Sequence, residues 1–185
     1  MKKRTIALLC AAMMVVGIAA GGTLAWLVSN GGTVTNTFTS SDISIELTET
    51  TGETYKMVPG YTIEKDPTVT VKANSEKSYL FVELEEQNSF DEFMTYEMAV
   101  GWTELTEGSG IYYRVVDAST SDQPFAVLKD DQVTVKDTVT KADMDELTTE
   151  TYPKLVVTAY ASQYMKNNND AFTPAEAWTN ANSAT

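Results

Sequence analysis

Apolar and polar positions alternate along most of the chain. Ile43, Ile45 and Leu47 are separated by Ser44 and Glu46, which reads as a half-buried strand. Val69 and Val71 alternate with Thr68, Thr70 and Lys72. In the next run Tyr79, Phe81 and Glu83 share one face, while Leu80, Val82 and Leu84 share the other. Ile111 to Val116 is dense in β-branched and aromatic residues, and Val133 and Val135 alternate with polar neighbours. Leu155 to Tyr160 is a further apolar run and reads as a central strand. Turn signals separate the runs at Thr51-Gly52, Pro59-Gly60, Ala73-Asn74-Ser75, Glu107 to Gly110 and Ser119 to Pro124. Two short helices are expected. One follows Ser89 and carries Phe90, Phe93, Met94 and Glu97; the other follows Thr140 and runs from Lys141 to Leu147. A single terminal turn is expected from Ala175 to Trp178. Many short strands, Gly-rich turns and few helices predict an all-β domain with short helices, an antiparallel β-sandwich over residues 43–185.

The first 42 residues follow a different pattern. Lys2, Lys3 and Arg4 precede an uncharged apolar stretch from Thr5 to Ala20, and Gly21-Gly22-Thr23-Leu24-Ala25 follows. A basic start, an apolar core and small residues ahead of a cut describe a secretory signal peptide over residues 1–25, cleaved between Ala25 and Trp26. The 24 uncharged residues from Thr5 to Val28 also suffice to span a bilayer, so an uncleaved anchor is the alternative, and any membrane contact would run through it. Gly17, Gly21, Gly22 and Ala25 favour the cut.

Charge narrows the classes of partner. The 185 residues carry 13 basic and 26 acidic side chains; without Lys2, Lys3 and Arg4 the net charge falls from −13 to −16. Such a field disfavours nucleic acid and anionic membranes. Cys10 is the one cysteine and lies in the expected signal, so the mature chain has no disulfide and no thiol chemistry. The chain has no histidine, which removes the HExxH zinc site, the Ser-His-Asp triad and the Cys-His dyad together. Carboxylates remain as candidates for acid–base work: Glu83-Glu85-Glu86, Asp91-Glu92 and Asp143-Asp145-Glu146. A calcium ion would find oxygen ligands at Asp130-Asp131 or in Asn167 to Asp170, though neither has EF-hand spacing. Solvated charge, a hairpin turn and a polar loop are the plainer readings of these groups. No cofactor is called for.

Within this acidic chain, Trp26 to Ser41 has no charged residue and no proline. Thr33, Thr35, Thr37 and Thr39 fall on one face of an extended arm, with Val34, Asn36 and Phe38 on the other. High β-propensity without charge or proline is the signature of a segment that pairs with a strand edge. The arm, residues 26–42, is therefore a candidate donor strand, continued by Ile43, Ile45 and Leu47. Pairing within its own domain, or remaining a flexible leader, is the alternative.

Gly21 to Trp26, Asn36-Thr37-Phe38-Thr39 and Ile43-Ser44-Ile45-Glu46-Leu47 resemble the start of the TasA and camelysin (CalY) proteins. Pro59-Gly60, Lys65-Asp66-Pro67, Val69-Thr70-Val71 and Tyr79-Leu80-Phe81-Val82 are similar to the same family, so the resemblance covers about residues 1 to 85. It implies a jelly-roll-like sandwich, export through a SipW-type signal peptidase, and location in the matrix or on the surface of a Gram-positive bacterium. It further implies fibres built from copies of this chain or related subunits, joined by N-terminal donor strands. Camelysin-type members are also classed as extracellular metalloendopeptidases. This chain has no histidine to serve such an activity, and no catalytic residue carries over.

Overall fold

A computed structural model describes residues 42–51 and 55–183. Ala25, Trp26, Val34, Asn36 and Phe38 lie outside the described residues. Among the described residues the strands are β1 (Ile45–Thr48), β2 (Thr62–Glu64), β3 (Thr68–Val71), β4 (Ser78–Gln87), β5 (Met94–Met98), β6 (Thr103–Glu104), β7 (Ile111–Val116), β8 (Gln123–Ala126), β9 (Leu128–Val135) and β10 (Lys154–Gln163). The helices are α1 (Phe90–Phe93), α2 (Lys141–Asp145) and α3 (Pro174–Asn182).

The strands form three antiparallel sheets, ordered β1-β3-β8, β2-β9-β5 and β10-β4-β7-β6. The first two run into each other, because β2 leads through Pro67 into β3 and β8 leads through Val127 into β9. The Val127 N–H donates to the Pro67 carbonyl at 3.0 Å across that junction. Together they make one layer and the four-stranded sheet makes the other. Val69, Val71, Val133, Val135 and Met94 meet Leu80, Val82, Leu84 and Val116 in a single buried core. Five of the nine connections between the described strands pass from one layer to the other. The alternation in the sequence thus yields the all-β sandwich it predicts.

The central strand β4 is buried on both faces. Leu80, Val82 and Leu84 point into the sandwich, while Tyr79 and Phe81 point outward. The outward pair is covered by α3, which is a nine-residue helix rather than the single turn expected from sequence. Trp178 lies 5.4 Å from Phe81 and 5.0 Å, edge-on, from Tyr160, and Ala177 is fully buried beneath it. Pro174 opens the helix and a capping box closes its start. Thr173 Oγ1 accepts from the Glu176 N–H, and Glu176 accepts from the Thr173 N–H at 2.9 Å. The Thr173 N–H foremost, then Lys166 and the Thr173 hydroxyl, hold the Glu176 carboxyl down at about 2. A carboxyl lowered on folding stabilises the native state fully above its ordinary value of 4.5, and that stabilisation disappears as pH falls through the lowered value. The docking of α3 is therefore expected to loosen between about pH 4.5 and 2, followed by the Trp178 indole resonance. Glu176→Gln should flatten that transition.

Two expectations give way to pairing. The helix expected from Phe90 to Glu97 stops at Phe93, and Met94–Met98 is strand β5. Ser89 provides no side-chain cap, and its φ is +52°. Phe90, Phe93 and Met94 fall at helical spacing while Met94, Tyr96 and Met98 fit period two, and hydrogen bonding to β9 decides between them. The run from Leu155 forms β10, which among the described residues is an edge strand rather than a central one. The turns at Pro59-Gly60, Ala73-Asn74-Ser75 and Glu107 to Gly110 fall where the sequence puts them, whereas Gly52 lies outside the described residues and Gln123 and Pro124 belong to β8. Gly110 has φ +69°, and its carbonyl accepts from the Leu84 N–H at 2.8 Å. A Cβ there would lie 2.6 Å from the Leu84 carbonyl oxygen, so Gly110→Ala is expected to cost about 2–4 kcal/mol in urea unfolding.

Candidate functional site: an open strand edge over the core

The composition of β10 does not match its place. Leu155, Val157, Ala159 and Ala161 turn toward the core opposite Glu86, Leu84, Val82 and Leu80 of β4, yet all four stay half-buried. Val156, on the other face, is 38% exposed. An edge strand is normally short, charged or interrupted by proline. β10 has ten residues, and from Leu155 to Gln163 it carries neither charge nor proline. Among the described residues its outer edge has no strand partner.

β1 lies beside that edge without pairing to it. β1 pairs instead with β3, placing Ile45 opposite Val71 and Leu47 opposite Val69. Among the described residues its own outer edge has no strand partner either. Ile45 packs on the core, whereas Leu47 is 37% exposed. Two free edges from opposite layers thus stand next to each other over an incompletely covered core. Hollows follow β10 along its length. One is bordered by Ile43 and Ala161, and another, about 230 Å³, by Leu47, Pro67, Leu155 and Val157. A third, about 540 Å³, reaches Ile63, Phe90, Met94 and Val133, and it shares Leu155 with its neighbour.

A polar network fixes the end of β1 while its edge stays open. The Asp66 carboxylate accepts from the Thr50 N–H at 2.8 Å, from the Thr51 N–H at 3.1 Å, and from the hydroxyls of both threonines. The Thr50 hydroxyl and N–H foremost, with help from Thr51, hold Asp66 well below the usual carboxylate range. Lys65 pairs with Glu49 at 2.7 Å, and Tyr55 donates to Glu49 at 2.9 Å. Burial is the main influence that raises the Tyr55 hydroxyl above its ordinary value. Strand β1 is thereby tied to the chain that leads into β3.

Of the residues expected in a donor strand, the structure describes Ile43, Ile45 and Leu47. It places them against their own domain, Ile45 and Leu47 in β1 and Ile43 just before it. The carboxylates have other partners or face solvent. Glu83 accepts from Tyr160 at 3.1 Å, Asp143 closes the capping box of α2, and Asp145 pairs with Lys141. Glu85, Glu86, Asp91, Glu92 and Glu146 are exposed. Asp130 and Asp131 both take left-handed backbone where β9 arches away from β5, and Asn167 Oδ1 accepts from the N–H groups of Asn169 and Asp170. Among the described residues no three acidic, histidine or cysteine side chains converge as metal ligands, and no helix is long and apolar enough to cross a membrane. The groove residues Leu155, Val157 and Ala159 were visible in sequence only as part of an apolar run, with nothing to mark it as an edge. No protein-family model, curated protein or solved structure matches the chain.

Proposed function

We propose that the protein is a secreted structural subunit of a bacterial surface or matrix. Each copy inserts its uncharged arm, residues 26–41, into the groove beside β10 of the next copy. The observation that carries this reading is the apolar edge of β10 lying next to the outer edge of β1, both without a strand partner among the described residues. An inserted strand gains backbone hydrogen bonds from a free edge, and its alternate side chains enter the hollows. Val34, Asn36 and Phe38 supply those side chains, because they share one face of the arm.

The contact is head-to-tail and does not close on itself, so it propagates into a filament. Cleavage between Ala25 and Trp26 by a SipW-type signal peptidase releases the arm, which agrees with the resemblance to TasA proteins. Related fibre subunits with the same groove are possible partners beside the chain itself. Electron microscopy of the chain beginning at Trp26 tests the proposal. Filaments are expected, and a monomer at every concentration removes it.

A further inference from the structure

The end of the groove carries charge of the wrong sign for this protein. Beyond β10 the third hollow opens into a cavity of about 720 Å³, walled by Met57, Ile63, Met94 and Met144. Its size falls in the range of small-molecule sites, and its apolar walls match theirs. Among the described residues the charged members of its lining are Lys56 and Lys154, with no carboxylate. The whole chain has twice as many acidic as basic residues, so a lining that holds only cations runs against its composition.

These two lysines also differ from the other basic side chains of the described residues. Lys65, Lys72, Lys77, Lys129, Lys141 and Lys166 pair with carboxylates. Lys136 donates to the Asp91 carbonyl, and the Arg114 guanidinium stacks 4.0 Å from the Phe125 ring centre. Lys56 and Lys154 have no ion pair or hydrogen bond among the described residues. Both are exposed at the cavity, where an anionic head group would meet them. Met57, Met94 and Met144 suit a tail of loosely defined shape, since methionine side chains adapt to what they contact. The cavity shares Ile63, Met94 and Lys154 with the hollow beside Leu155, which holds Glu49 already paired with Lys65, so the space is elongated and its unpaired charge stays at the lysine end.

We infer that this cavity binds a small amphipathic carboxylate, with its linear apolar tail along the methionine wall and its head group between Lys56 and Lys154. This goes beyond the assembly role and does not depend on it. Calorimetric titration of the chain beginning at Trp26 with sodium dodecanoate, below its micellar concentration, tests the inference. Saturable binding near one per chain is expected. The Lys56→Gln/Lys154→Gln double variant should weaken it at least tenfold, and dodecyltrimethylammonium should bind at least tenfold more weakly than dodecanoate. Absent or non-saturating binding overturns the inference. So does equal binding of the two head groups, or binding unchanged in the double variant. Because binding is read from heat and stoichiometry rather than from filaments, its failure is distinct from a failure of the assembly proposal.

Discussion

A chain shortened to begin at Asp42 is expected to stay folded and monomeric under conditions where the chain beginning at Trp26 forms filaments. Sedimentation and electron microscopy give the readout. The magnitude follows from what the arm contributes. Each backbone hydrogen bond to a strand edge adds about 0.5–1.5 kcal/mol net, and burying Phe38 or Val34 adds roughly 1.5–3 kcal/mol each. These gains must exceed an association cost of about 4–15 kcal/mol. Copies at −16 also repel one another, so no comparable contact remains once the arm is gone. A milder change gives a graded result. Phe38→Ala removes about 2–3 kcal/mol of burial, so the concentration needed for filament growth should rise roughly 30- to 150-fold. Added salt should lower that concentration in both cases by screening the repulsion. Filaments from the chain beginning at Asp42 would remove the arm from the mechanism.

The period-two pattern made β3, β4 and β9 legible, because each has a buried face that fixes its register, and β7 was legible as a dense β-branched and aromatic run. Elements whose identity rests on partners were less legible. Phe90, Phe93 and Met94 fit a helix while Met94, Tyr96 and Met98 fit a strand, and pairing with β9 settled the choice. Thr62–Glu64 is too short to show a period, and Pro124 reads as a turn although it fits the outer edge of β8. The extent of α3 was underestimated despite Thr173, Pro174 and Glu176, since its stability comes from Trp178 and Ala177 packing on β4 and β10. The groove was the least legible part. An apolar run such as Leu155 to Tyr160 reads as a central strand, and only the sheet order reveals that one side of it is open. That conflict between local composition and position is where a functional surface is most often found.

The groove and the arm can be disabled separately, and combining the two defects gives the most discriminating result. Val157 borders the hollow between β1 and β10 and is half-buried. Val157→Lys places a charge on the path of an inserted strand, while the long lysine stem lets the ammonium reach water, so the domain should still fold. Alone, this variant should form no filaments, because its arm finds no acceptor among identical copies. The chain beginning at Asp42 has the opposite defect: its groove is intact and it has no arm. Mixed in equal amounts, the two should form a one-to-one dimer and nothing larger, measured by light scattering on a sizing column. The single working contact joins the arm of one variant to the groove of the other, and neither product end can extend. A chain whose arm folds back onto its own domain predicts something else: the mixture would contain two monomers. Filaments in the mixture would place the growing contact outside the groove. The dimer alone fits an arm that acts between copies at the edge of β10.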